Sequence, residues 1–369
     1  MQETLIHHGV MFSYYSAKTR ACLSYKRIPF VEQYQASELQ GRIKEVIHKM
    51  MIPVVEMPDG ELLQDTTQII DELERRYPQR PVLPEDPVML LVSRLVEFTM
   101  DELWISTAMN TRWHDPLSKA FIITEFGARI GDSAGLSADQ GRAMGEQLAQ
   151  RMQSYLPRLG VGSAQGQAVV DRFFRAASLS LDKLVGRTRF ALGPRPSLID
   201  FCLFTGYYGH QYRDPGVAQR FLKTEAPGLC YYLDNLHAAQ CAPEGGELVI
   251  TEALQDYLQL IGPPSAGFAR GIQQGTAQLA AAASPGQLFE QPIADFSFEL
   301  MGEPFSRAGS SFSAWKLQRV QEVFNTLNPA QQAQADALLA DTGWPELLRT
   351  DPGYRLERKD YQIYLESVG

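Results

Sequence analysis

The sequence predicts an α/β domain over residues 1–82, an all-α helical bundle over 88–262 and a C-terminal extension of mixed short strands and helices over 263–369. Three observations predict it. Strand and helix patterns alternate through residues 4–77. A run of proline and acidic residues, Leu83-Pro84-Glu85-Asp86-Pro87, then ends the strand signals. Beyond it helical periodicity continues to the Gly262-Pro263-Pro264-Ser265 step, after which a strand pattern and helices are mixed.

In the first part, Thr4–His8 reads as a short strand followed by the turn-like Gly9. Lys18–Tyr25 is a helix that stops before Pro29, because a residue preceding proline is pushed toward extended geometry. Phe30–Tyr34 alternates apolar and polar residues as a half-buried strand does, and Arg42–His48 predicts a helical turn. Ile52–Glu56 is a strand, Met57-Pro58-Asp59-Gly60 a turn, and Glu61–Leu63 the returning strand. Thr66–Tyr77 is a helix, with Thr66 and Thr67 as candidate caps and Ile69, Ile70 and Leu73 at helical spacing. In the second part Val88–Arg112, Leu117–Ile130, Ala138–Leu156, Ala168–Val185, Ser197–Tyr212 and Gly228–Ala239 carry helical periodicity. The third part holds an alanine run at Ala277–Ala283, a strand pattern at Asp295–Leu300, a Gly/Ser-rich loop at Gly309–Ser313, and helices at Ser313–Leu327 and Pro329–Thr342.

The 369 residues are 44% hydrophobic and 21% charged, the composition of a soluble globular protein with room for two domains or slightly more. A net charge of −9, spread over all three parts without a basic block, argues against nucleic acid or an anionic membrane as partner. The absence of any apolar run of about 18 residues, and of a charged and then apolar leader, predicts a cytoplasmic protein with no membrane association. Cys22, Cys202, Cys230 and Cys241 form no CxxC pair, which excludes a disulfide scaffold and a cysteine-based zinc site. The six histidines make no ligand spacing beyond the adjacent His7 and His8, so no metal is expected. Gly160-Val161-Gly162-Ser163-Ala164-Gln165-Gly166 follows a helix and lacks the strand–loop–helix setting of a nucleotide loop.

Three features of the first part can carry chemistry, and each also has a plain structural reading. Ser13-Tyr14-Tyr15-Ser16 lies between the first strand and the first helix, where hydroxyls and free N–H groups at the positive end of a helix dipole stabilise a thiolate; Ser13 or Ser16 equally reads as a simple cap. Ile52-Pro53 opens a strand, where proline marks an edge or a cis turn that offers the Ile52 backbone to a peptide-like ligand; it equally reads as an ordinary strand-entry proline. Asp65-Thr66 enters the next helix, with a carboxylate for an ammonium and a hydroxyl for a carboxylate, or with an N-cap alone. One ligand suits all three: a small extended peptide with an amino-acid end, a thiol in the middle and a free carboxylate.

At these residues the chain resembles the glutathione transferase family over about residues 3–240. The resemblance implies a thioredoxin-like first domain followed by the family's all-α domain, with Ser13-Tyr14-Tyr15-Ser16 at a serine-type active-site turn. It implies Ser13 and Tyr14 as catalytic residues, and Ser13, Ile52, Pro53, Asp65, Thr66 and Lys49 as the glutathione-binding set. In the helical part it implies an electrophile pocket of Tyr15, Trp104, Arg112 and Trp113; the i, i+3 and i+4 spacing of Glu97, Asp101, Trp104, Ala108 and Arg112 equally reads as core packing with ion pairs. Pro196-Ser197-Leu198-Ile199-Asp200-Phe201 resembles the family's buried helix cap, which makes Ser197 and Asp200 structural. The segment after Ile261 exceeds the usual family length and resembles the long extension of some bacterial members, with Trp315-Lys316-Leu317-Gln318-Arg319 as its mark. The function implied is transfer of glutathione, as co-substrate, to a small electrophile by a homodimer. A non-catalytic binding protein on the same fold, or a glutathione-dependent mixed-disulfide reductase, remains the alternative.

Overall fold

The structure, a computed structural model, describes residues 3–34, 38–48 and 51–366. In chain order, β1 (Leu5–His8), α1 (Tyr14–Tyr25), β2 (Phe30–Gln33), α2 (Glu38–Ile47), β3 (Val54–Glu56), β4 (Leu62–Gln64) and α3 (Thr66–Arg76) come first. There follow α4 (Pro87–Phe98), a π-helical turn at Thr99–Leu103, α5 (Ile105–His114), α6 (Pro116–Ser133), α7 (Ala138–Gln153) and α8 (Ala164–Thr188). Next are α9 (Leu198–Tyr207), a second π turn at Tyr208–Tyr212, α10 (Val217–Glu225), α11 (Pro227–His237) and α12 (Glu252–Ala280). The chain ends with β5 (Pro292–Leu300), β6 (Glu303–Ser310), α13 (Ser311–Thr326), α14 (Pro329–Leu338), α15 (Trp344–Arg349), β7 (Leu356–Lys359) and β8 (Gln362–Leu365).

These elements form two compact units, each assembled from separate stretches of chain: 1–83, 108–155 and 185–248 in one, 84–107, 156–184 and 249–369 in the other. The first contains a four-stranded sheet of order β2-β1-β3-β4, in which β1 runs parallel to β2 and antiparallel to β3, and β3 antiparallel to β4. Its core joins Leu5 and Val55 of the sheet to Leu23 of α1 and to Ile69 and Leu73 of α3. Burying such aliphatic side chains contributes about 1.5–3 kcal/mol each, and the i, i+4 spacing of Ile69 and Leu73 puts both on one face of α3. α6 and α7 pack backbone to backbone because Gly127, Gly141 and Gly145 leave no side chain between them; a Cβ on Gly145 would collide with the Ile123 carbonyl oxygen.

The second unit is built around α12, and here the structure corrects the expected boundary at 262/263. The helix runs unbroken from Glu252 to Ala280 with Pro263 and Pro264 inside it. Two interior prolines remove two amide donors and ordinarily break a helix. Tertiary packing holds this one: Pro264 is buried, and Gly267, Gly271 and Gly275 recur every four residues and receive Phe298, Phe296 and Ile293 of β5. The expected Gly309–Ser313 loop is likewise the end of β6 and the start of α13. The Val88–Arg112 segment is interrupted by the π turn, and α10, α15, β7 and β8 have no counterpart in the sequence reading. Among the described residues no helix is long and apolar enough to cross a membrane.

Candidate functional site

The register of the first sheet assembles the candidate site. His8 of β1 pairs with Val54 of β3, and Val54 pairs with Gln64 of β4. The row His8–Val54–Gln64 therefore crosses three strands spaced about 4.8 Å apart. The Ser13 turn leaves the sheet after His8, the Ile52–Pro53 step enters just before Val54, and Asp65–Thr66 follows Gln64. Three segments far apart in sequence thus converge at one end of one sheet. The Ile52–Pro53 peptide is cis and Ile52 is half-buried.

α1 begins at Tyr14, four residues before the expected start, because Ser13 caps it: Ser13 Oγ accepts from the Ser16 amide at 3.3 Å. Ser13 is half-buried, so its hydroxyl sits at the positive end of the helix dipole with partial access to solvent. Ser16 Oγ is buried without a hydrogen-bond partner and crowds Gly9, where a Cβ would come within 2.8 Å of it. Gly9 is thus needed for the close approach of β1 to α1.

α3 is capped by Asp65, not by Thr66 or Thr67 as the sequence reading had it. Asp65 stands at φ 75 and its Oδ1 accepts from the amides of Thr67 (3.0 Å) and Gln68 (3.3 Å). That leaves Thr66 as the first helical residue, buried, with its hydroxyl accepting a 3.2 Å bond from the Lys18 ammonium of α1. Lys18 is fully buried. The sequence reading missed it, although its position four residues before the buried Cys22 places both on one helix face.

The remaining expected residues have other places. Tyr14 is only 4% exposed, with its ring edge-on to those of Tyr15 and His210. Tyr15 is half-buried beside it. Arg112 is buried in the first unit, where its guanidinium forks onto Asp214 (2.5 and 3.0 Å) and also donates to the carbonyls of Phe12 (3.0 Å) and Gly209 (2.5 Å). It straps the residue before Ser13 to the Tyr208–Tyr212 turn with four of its five N–H donors. Trp113 is buried against Phe126, with its indole N–H on Met109 Sδ at 3.3 Å. Trp104 is fully buried in the second unit against Phe173, a core position. Lys49 lies outside the described residues. Ser197 and Asp200 form a buried cap: Asp200 accepts from the Ser197 amide (2.8 Å) and hydroxyl (2.9 Å), the Ala191 amide (2.8 Å) and the Tyr232 hydroxyl (2.9 Å).

Residues 8–81 match the family model described as glutathione S-transferase, N-terminal domain. The matched span is the four-stranded sheet with α1 to α3, and it holds Ser13, Ile52, Pro53, Asp65 and Thr66. Among solved structures, the β-etherase LigF from Sphingobium sp. strain SYK-6 is 20% identical, with 70% of this chain and 99% of that one covered and a TM-score of 0.45. A glutathione S-transferase of Ceriporiopsis subvermispora in complex with glutathione is 15% identical, with 66% and 99% covered and a TM-score of 0.43. One from Methylobacterium radiotolerans in complex with glutathione sulfonate is 19% identical, with 68% and 99% covered and a TM-score of 0.36. None of the curated proteins matches the chain. Among the described residues no group of three or more His, Cys, Asp or Glu side chains could hold a metal ion.

The first unit buries three histidines in their neutral form. Burial pushes His210 well below its ordinary value, reinforced by the Arg112 charge. Burial also lowers His7 and His8, against the opposing pull of Glu32 and Glu56. A histidine that resists protonation only when folded binds more protons in the unfolded chain once pH falls below about 6.5. Its stability contribution is therefore complete above that pH and is lost as pH falls toward the lowered folded value. Urea unfolding at pH 7.5, 6.5 and 5.5, all above the range where Glu32 and Glu56 titrate, is expected to give a free energy that falls at each step. A flat series would contradict the assignment of buried neutral histidines.

Proposed function

We propose that the protein is a glutathione-dependent transferase that activates the thiol of glutathione for attack on a small electrophile. The observation that supports this most is the strand register, which brings the Ser13 turn, the Ile52–Pro53 step and Asp65–Thr66 to one end of the sheet. On this reading the Ile52 backbone pairs with the cysteinyl residue of glutathione as an added strand, and Asp65 and Thr66 take the γ-glutamyl end. Ser13 Oγ donates to the sulfur, and with the α1 N-terminus it lowers the thiol pKa so that the proton leaves to solvent. The thiolate then forms a C–S bond with the electrophile, whose leaving group departs with the bonding electron pair. The electrophile meets the sulfur beside Tyr15, the aromatic next to Ser13 that keeps solvent access. The same reading carries a cytoplasmic homodimer, which light scattering on the purified chain checks.

Ser13→Ala is expected to lower kcat with glutathione by about 10- to 100-fold, the equivalent of one hydrogen bond to a charged group, while the Kd for glutathione changes little. The pH titration of the bound thiolate, followed by its ultraviolet absorbance, is expected to move to higher pH. Because Ser13 also caps α1, a stability loss of about 1 kcal/mol accompanies the change and is measured separately by thermal unfolding. Undiminished turnover in the variant would remove Ser13 from the mechanism. Failure of the wild-type chain to bind glutathione in calorimetry would overturn the whole reading.

A further inference from the structure

We propose that a groove in the second unit, between α12 and the outer edge of β5, binds a basic, extended segment of a partner protein that adds to β5 as a third strand. The groove is a cavity of about 570 Å³. α12 carries β5 over Gly267 and Gly271 and the Thr342–Gly343 bend beside Gly262 and Ala266, so the groove runs along the helix between them. The consecutive residues Phe296, Ser297, Phe298 and Glu299 all line it. Alternate side chains of a strand face opposite sides of its sheet, so a run of four consecutive residues lines one cavity along the strand's edge. None of the lining residues belongs to β6, and among the described residues β5 pairs with β6 alone. The edge in the groove is therefore the unpaired one, the kind that accepts another strand.

The hairpin turn decides which groups that edge offers. Met301 and Gly302 form a two-residue turn with positive φ at both, 53 and 77, and Leu300 pairs with Glu303. In such a hairpin the residues flanking the turn exchange both hydrogen bonds, and the two kinds of pair alternate from there. Ser297–Ser306 and Glu299–Pro304 are thus pairs without mutual hydrogen bonds, which suits Pro304 because its missing N–H would face away from β5. The N–H and C=O of Ser297 and Glu299 then point outward, two residues apart, as an added strand takes them.

The floor and the rim select the charge of that strand. Pro263 and Pro264 have no N–H for the carbonyls of Gln259 and Leu260, and all four residues line the groove. A guanidinium or ammonium, all donor and no acceptor, matches such carbonyls. Asp295, Glu299, Asp341 and Glu346 are exposed on the lining segments or next to them, whereas Arg270 in the groove is paired with Glu346 at 2.9 Å. A second copy of the chain is the poorer occupant. Pairing β5 with itself about Ser297 sets Asp295 against the copy's Glu299, and like charges directly opposite destabilise a strand pair.

The test is fluorescence anisotropy of the full chain with labelled heptapeptides blocked at both ends. One alternates arginine and valine, one alternates glutamate and valine, and two are the arginine peptide N-methylated at every arginine or at every valine. The arginine peptide is expected to bind at least about 10-fold more tightly than the glutamate peptide. An added strand turns alternate N–H groups toward its neighbour, so one methylated set is expected to lose at least about 10-fold and the other to bind nearly as the parent does. Hydrogen exchange is expected to slow at the Ser297 and Glu299 amides when the arginine peptide is present. Ser297→Pro, which deletes an N–H on the free edge, is expected to weaken the arginine peptide by about 10-fold with thermal unfolding little changed. The methylated peptides serve if that variant does not fold. No binding of the arginine peptide at millimolar concentration, equal binding of the glutamate peptide, or equal effects of the two methylated sets would overturn the proposal. So would self-association of the wild type that Ser297→Pro abolishes while the arginine peptide does not compete, since the edge would then pair with a second copy. None of these readouts depends on glutathione, so the outcome stands apart from the transferase reading.

Discussion

Asp200→Ala is expected to abolish cooperative folding of the first unit. The carboxylate is fully buried and accepts from four donors: the amides of Ala191 and Ser197 and the hydroxyls of Ser197 and Tyr232. These donors come from the strand-like turn before α9, from the start of α9 itself and from α11, so one side chain ties three segments together. Removing it strands four buried donors at about 1–3 kcal/mol each, a total comparable with the whole stability of a typical domain. Asp200→Asn keeps the shape and one acceptor oxygen for Ala191 and Tyr232, but turns an NH2 group toward the Ser197 amide. It is expected to fall between Ala and wild type. Thermal unfolding by far-ultraviolet circular dichroism reads the series, and a melt of Asp200→Ala within a few degrees of wild type would refute the argument.

Arg112→Leu is expected to destabilise the first unit by about 3–5 kcal/mol, the usual consequence of leaving one partner of a buried ion pair uncompensated. The pair lies 102 residues apart in sequence, with Asp214 also buried. The variant leaves the Asp214 carboxylate without its fork of donors and frees the Phe12 and Gly209 carbonyls that Arg112 holds. The double variant Arg112→Leu/Asp214→Leu removes the stranded charge and is expected to recover part of the loss, since an apolar pair of similar volume substitutes well for a buried ion pair. Urea unfolding of the two singles and the double closes the cycle. Additive losses would mean that the two residues do not act as a pair. Because Phe12 immediately precedes Ser13, the single variant is also expected to lower kcat even in the fraction that folds.

Both residues show how far local pattern reaches. The Ser197–Asp200 cap was legible because its partners lie three residues apart and the chemistry of a helix start is local. Arg112 stood out as well, as a cation at helical spacing that read either as a pocket residue or as one half of an ion pair, but its partner Asp214 was invisible. Trp104 was left open in the same way: periodicity put it on a stripe, and packing against Phe173 decides for the core over the pocket. Among the site residues, the Ser13 turn, Ile52–Pro53 and Asp65–Thr66 were each legible as motifs. Their capping roles were partly misassigned, because the left-handed conformation of Asp65 is not coded by a period.

By itself the sequence determined the alternation of strand and helix through residue 77, the Ser197–Asp200 cap, and the mainly helical character of residues 88–262. These follow from propensities, periods and capping chemistry that act within one or two turns of chain. Tertiary structure decided the rest. It carried α12 through Pro263 and Pro264, divided the chain into two units of interleaved segments, and set the Lys18 ammonium against Thr66. The reason is physical: burial of Phe296 and Phe298 over a glycine stripe, or of a charge beside its acceptor 48 residues away, outweighs local preference. Such contacts exist only once the chain has folded back on itself.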